Sequence, residues 1–192
     1  MKRLPAPILA APILATPILA ALILALALGA CATGPAPQRL PPLEAQVAAL
    51  KERLFVLVEA ERHRLNSEAK PLILDSELMR AAQTHSDDMA MKRSFDIDNP
   101  DGNLALNTLL ADPKFRGFVG ENSAAQYFTP GARIDPDTYA RGFLDIWLKS
   151  PDHKMNLIYA GFDKTGIGIA VNGNTIYAAE LFATDLGLPE PP

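Results

Sequence analysis

Cysteine is almost missing from this chain: Cys31 is the only one in 192 residues, so no disulfide can form within it. That excludes a disulfide-stapled scaffold and every cysteine-pair zinc site. Histidine is nearly as scarce, with only His63, His85 and His153, so any imidazole chemistry rests on one or two side chains. No G-x-S-x-G elbow, Walker A loop, H-E-x-x-H or C-x-x-C occurs, which removes the hydrolase, nucleotide and metalloprotease chemistries those motifs carry. A run of basic residues is also absent and the formal charge is −4, which makes nucleic acid an unsuitable partner.

One further absence is local. After Lys2 and Arg3 no charge appears until Arg39, and the intervening stretch opens with the repeats APILA, APILA, TPILA and ALILA. Its uninterrupted apolar part, residues 18–30, is shorter than the ~20 residues a spanning helix needs. A basic start, a short apolar core and small residues before a break describe a cleaved export signal, residues 1–30. The closing "LGAC" resembles the lipobox of bacterial lipoproteins, which implies an acylated Cys31 as first mature residue and a membrane anchor of several acyl chains. An uncleaved signal anchor is the competing expectation. Ala32 in place of an inner-membrane retention aspartate implies, in a Gram-negative cell, an outer-membrane lipoprotein facing the periplasm. Loss of Lys2 and Arg3 deepens the negative charge, and the remaining length suits one domain.

"ATGPAPQRLPP" continues residues 31–42 as a Pro-rich linker. Leu43, Val47, Leu50, Leu54 and Leu57 then recur at helical spacing. Phe55, Val58 and Arg62 begin a second stripe, so residues 43–53 are expected as a helical extension and the core is expected from about Leu54. Asp75 is expected to cap a second helix through about Lys92, burying Leu78, Ala81, Ala82, His85 and Met89. Asp135-Pro136 caps a third, with Tyr139, Phe143, Ile146 and Trp147 on one face. "SPDH", from Ser150 to His153, reads as N-cap, N1, N2 and N3 of a short helix, whose positive end disfavours protonation of His153. Residues 166–171 and 175–182 alternate as strands around an Asn172-Gly173 hairpin signal, and residues 119–128 supply a third strand. Helices first and an antiparallel hairpin last make an α+β fold. Gly166-Ile-Gly168 lacks the third glycine and the following helix of a phosphate loop, and is expected to let another element pack closely.

The histidines differ in context. His63, in "ERHR", is expected in solvent, and His85, on an apolar face, as a satisfied core histidine. His153 remains, with Glu121 of "VGENSA" as the carboxylate lacking an evident capping or salt-bridging role.

Five segments in order, "LVEAERHRLNSEAKPLILDSELMRAAQTHSDDMA", "PDG", "GENSA", "WLKSPDHKMNL" and "FDKTGIGIAVNGNTIYAAELFA", resemble a bacterial CAP domain of the cysteine-rich secretory, antigen 5 and pathogenesis-related 1 superfamily, also called the SCP domain. The resemblance implies an α-β-α sandwich with a small antiparallel sheet between helices over residues 54–184, leaving residues 185–192 as a tail. It also implies an extracytoplasmic location and a cleft of two histidines and two glutamates, at which some members bind a divalent metal. Glu121 matches one glutamate and His153 one histidine; Ile97 stands where the other histidine belongs, and Ser150 where the second glutamate does. Asn122 and Ser150 are expected beside Glu121 and His153 in the cleft. Isoleucine cannot ligate zinc, and Asp96 or Asp98 swinging in would make only a weak, oxygen-rich site, so no tightly bound zinc or other cofactor is expected.

Three functional expectations follow. One is a non-catalytic, membrane-tethered envelope module binding a small apolar ligand or an envelope protein. Another is a hydrolase using Glu121 and His153 to activate water, which still needs a nucleophile or metal and an oxyanion site. In the last, Glu121 and His153 hydrogen-bond each other and only tie loops together.

Overall fold

The structure is a computed structural model, described here for residues 40–93 and 117–184. Its elements are α1 (Leu43–Leu65), β1 (Ile73–Leu74), α2 (Ser76–Lys92), β2 (Val119–Tyr127), α3 (Pro136–Lys149), α4 (Pro151–Ile158), β3 (Lys164–Asn172) and β4 (Thr175–Ala183). Cys31, Asp96, Ile97 and Asp98, together with the proposed signal, the linker through Arg39 and the tail, lie outside the described residues. Among the described residues no helix is long and apolar enough to cross a membrane.

The helix starts follow the sequence signals. The Asp75 carboxylate accepts from the amides of Glu77 and Leu78, and the Asp135 carboxylate from that of Thr138, satisfying orphan donors of each first turn. Ser150 ends α3 and starts α4, its hydroxyl accepting from the His153 amide at a long 3.5 Å. The extension expected over residues 43–53 is instead core from its second turn. Gln46, Leu50, Leu54, Val58 and Arg62 form the buried line of α1, and the Gln46 side chain accepts from the Ile134 amide. A strict i,i+4 line pulls Gln46 and Arg62 inward with the leucines, and hydropathy alone cannot show that.

The sheet order is β1-β3-β4-β2. β4 pairs antiparallel with both β2 and β3, whereas β1 joins β3 in parallel through Ile73 and Leu74 alone, so the sheet is mixed at one edge. The β3–β4 loop is Gly173-Asn174, one residue past the Asn-Gly signal. Gly173 alone takes a positive φ of 62°, the arrangement of a type II′ turn.

Side chains alternate across the sheet into two layers. On one side Ile167, Ile169, Ile176, Ala178 and Phe182 meet Leu50, Leu54, Val58, Phe143 and Trp147 of α1 and α3. On the other, Leu181, Ala183, Tyr177 and Ala179 meet Leu78, Ala82, Met89 and Ala90 of α2. A Cβ at Gly166 would lie 2.1 Å from the Leu78 carbonyl carbon, and one at Gly168 would lie 2.0 Å from the Ala82 oxygen. The GxG pair therefore lets the α2 backbone rest on β3. Within α3, Ile146 turns toward solvent and Ala140, Phe143, Leu144 and Trp147 fill the core instead.

Among the described residues, the outer edge of β3 has no neighbouring strand beyond Thr165. There the Gln83 side chain of α2 donates to the Ile169 carbonyl at 3.0 Å and accepts from the Ile169 amide at 3.3 Å, as a strand backbone would. The Met79 sulfur accepts from the Ile167 amide at 3.2 Å.

Candidate functional site

β2 carries the central question because its residues face alternately to the two layers. Val119 packs against the cluster that holds Leu78 and Ala82 of α2, and Ala125 against the one that holds Met89 and Ala90, so Glu121 between them also faces α2. Asn122 faces the opposite layer and is fully buried there. Its amide group donates to the His153 carbonyl at 3.0 Å, and its side-chain oxygen accepts from Asn156 at 2.9 Å. Asn156 also donates to the Glu121 carbonyl at 2.9 Å. A Cβ at Gly120 would fall 2.6 Å from the Asn156 side-chain oxygen, so the strand must be bare at that point. These contacts fasten α4 to β2. Asn122 is thus a positioning group inside the protein rather than the cleft-lining residue expected, because strand alternation turns it away from Glu121.

Glu121 has a different partner from the one its sequence context suggests. His85 Nε2 lies 2.9 Å from Glu121 Oε1, with both side chains nearly buried. His85 is therefore satisfied, as expected of a histidine on an apolar helix face, but by the very carboxylate assigned to the site. Its partner was hidden in the sequence because Glu121 is 36 positions away and the strand register decides which side chain faces α2. The available signal was the stripe Leu78, Ala82, His85, Met89: a histidine on such a face needs a partner.

His153 is half-buried at the third position of α4. Burial pulls its pKa below the ordinary value of 6.5, against the opposing pull of Asp152 and Glu121. The ring is consequently neutral at neutral pH. The hydrogen bond of the purely structural reading is not made at Nδ1: His153 Nδ1 is buried without a hydrogen-bond partner, and Glu121 Oε1 lies against His85 instead. Ser150 is partly exposed and spends its hydroxyl on the helix cap. His63 is exposed on α1.

These donors do not fit a metal. Among the described residues no three histidine, cysteine, aspartate or glutamate side chains are grouped to hold one. The two closest, His85 and Glu121, bond each other directly, leaving no room for an ion between them. A separate open groove of about 340 Å³ lies between the first turns of α1 and β3, lined by Leu43, Val47, Lys51, Gln83, Ile169 and neighbours. It includes none of the residues above.

A second polar cluster, missed in the sequence, occupies the opposite layer. Arg62 is 1% exposed, and its guanidinium donates to the carbonyls of Leu157 at 2.7 Å, Phe162 at 3.1 Å and Lys70 at 3.3 Å. It thereby holds the last turn of α4. Glu180 of β4, on the same layer, is wholly buried.

Comparison with known proteins agrees with this architecture. Residues 60–184 match the model of the cysteine-rich secretory protein family, CAP. The uncharacterized protein YkwD of Bacillus subtilis is 26% identical over 130 residues, covering 68% of this chain and 46% of YkwD, so the chain spans less than half of that relative. An outer surface protein of Borrelia burgdorferi superposes with a TM-score of 0.54 at 20% identity, over 70% of this chain and 92% of that one. An SCP-domain extracellular protein of Bacillus anthracis superposes with a TM-score of 0.53 at 24% identity, over 77% and 45% of the two chains. With helices on both faces of one small sheet and the family's segments in their expected order, this chain belongs to the CAP family.

Proposed function

We propose that the chain is an exported, membrane-tethered CAP-domain lipoprotein that works as a non-catalytic binding module of the cell envelope. One observation carries the non-catalytic reading: the Glu121 carboxylate is held by His85 at 2.9 Å, nearly out of solvent. A general base must reach the proton it removes, and this carboxylate faces a histidine and is nearly shut off from solvent. His153 keeps a neutral, half-exposed ring with which to meet a small apolar ligand or an envelope protein. Export and tethering rest on the "LGAC" signal, with support from two fold neighbours that are an outer surface protein and an extracellular protein.

Two experiments test this. Native mass spectrometry of the protein purified from its own envelope should show a co-purifying ligand or partner that His153→Ala loses at unchanged melting temperature. Retention by that variant would overturn the role of His153, and a hydrolytic activity abolished by Glu121→Gln would overturn the non-catalytic reading. Cys31→Ala should release the protein from the membrane fraction, and its staying bound would overturn lipid anchoring.

A structural role for Glu121 has its own support. The His85 contact joins α2 to β2, and the pair belongs to the packing between those two elements.

A further inference from the structure

Counting protons in the sheet leads to Glu180. Its side chain is fully buried on the layer facing α1 and α3, with Asn122 and Ile167 as its cross-strand neighbours. Thr165 Oγ1 lies 3.0 Å from Glu180 Oε1 and 2.8 Å from the Leu181 carbonyl oxygen. A threonine hydroxyl has one proton, whereas a carbonyl and an ionised carboxylate have none. If Glu180 were ionised, that proton could serve only one of the two short contacts. If Glu180 is protonated, both are satisfied in series: Glu180 O–H donates to Thr165 Oγ1, and Thr165 O–H donates to the Leu181 carbonyl.

Of the charges around Glu180 the attracting one is the stronger, but burial outweighs it. Those that act on it both come from α1: Arg62, which attracts, and Glu59, which repels. Arg62 spends its terminal nitrogens on main-chain carbonyls, and its Nε lies 3.7 Å from Glu59. β3 and β2 contribute Thr165 and Asn122, which are polar but uncharged. The second oxygen, Glu180 Oε2, has no hydrogen-bond partner, a far smaller cost on a neutral acid than on a carboxylate.

We propose that Glu180 is a proton store in the core: the folded domain keeps this proton and the unfolded chain releases it, so the domain tightens as its surroundings acidify. This inference stands independently of what the cleft binds. Burial, the first cause, pushes Glu180 up to about 8 from an ordinary 4.5, outweighing the Thr165 hydrogen bond and Arg62. With the folded-state value raised, the stabilisation is complete below the ordinary value and is lost as pH rises through about 8. Across that window the folding constant changes by about tenfold per pH unit from this group.

The test compares the full-length chain with Glu180→Gln in detergent by urea denaturation from pH 5 to 9. Glutamine keeps the donor to Thr165 but cannot titrate. The ratio of parent to variant folding constants is expected to fall by about tenfold per pH unit up to about pH 8 and then level off. A ratio flat with pH, or a variant weakened equally throughout, would overturn the proposal. Should the variant not fold, the side-chain carboxyl carbon of Glu180 can be followed by NMR in the parent. It is expected to be protonated at pH 6, and an ionised signal there would overturn the proposal equally.

Discussion

Two buried glutamates on adjacent strands invite comparison. Glu121 of β2 and Glu180 of β4 are one register step apart and point to opposite layers of the same sheet. Glu121 meets a histidine, which can donate a hydrogen bond or carry a countercharge. Glu180 meets a hydroxyl already committed to a carbonyl, beside an arginine whose terminal nitrogens are taken. Whether a buried carboxyl is held as an acceptor or as an acid depends on how many donors its neighbours have left, and burial alone does not decide it.

The largest expected effect comes from removing the cation on the Glu180 side. Arg62→Ala leaves the Leu157 and Phe162 carbonyls buried without a donor and should cost about 3–5 kcal/mol, read from the urea midpoint. A loss below about 1 kcal/mol would show that water replaces the guanidinium. On the other layer, Gly168→Ala should push α2 off β3 and cost about 1–3 kcal/mol. Because α2 carries His85, the same change should abolish the coupling between His85 and Glu121. A double-mutant cycle retaining that coupling would contradict the packing described. Glu121→Ala in the parent should cost about 1–2 kcal/mol, since His85 is then left buried without its partner.

Smaller effects sharpen the contrast through pH. His153 is expected to titrate below its ordinary 6.5 by NMR. With the folded-state pKa lowered, its contribution to stability is present above 6.5 and is lost as pH falls through the folded value. That is the reverse of Glu180. His153→Asn should flatten this acid-side loss, and an unchanged pH profile would place the ring in solvent. Least of all should change on treatment with a chelator. Elemental analysis of purified protein is expected to give well under one zinc per chain, and stoichiometric zinc would require a donor set beyond His85 and Glu121.

Much of the scaffold was legible because local rules and tertiary packing agree. Asp75, Asp135 and Ser150 each cap the helix their spacing announces, and Gly166 and Gly168 mark the close approach of α2. The partners of charged groups were not legible, since they depend on the register between distant elements. His85 could be placed on an inward face, yet only the strand alternation of β2 reveals that Glu121 meets it while Asn122 turns away. Arg62 stood on the stripe that joins the core, but its carbonyl partners could not be read there. Glu180 was hidden because a charged residue in an apolar strand reads as surface until its hydrogen bonds are known. Of the three readings of Glu121 and His153, the one in which they bond each other is not what the side chains do: Glu121 Oε1 lies against His85, and His153 Nδ1 has no hydrogen-bond partner.

The side-chain amide of Gln83 has a consequence for life at high local concentration. Proteins held at high local concentration meet each other's sheet edges far more often than proteins in dilute solution do. An unpaired edge is a template on which another chain can extend the sheet. By filling both backbone positions of Ile169 from within the same molecule, Gln83 ends the sheet where a neighbour would otherwise continue it. The helix that supports one face of the sheet thus also covers part of its edge.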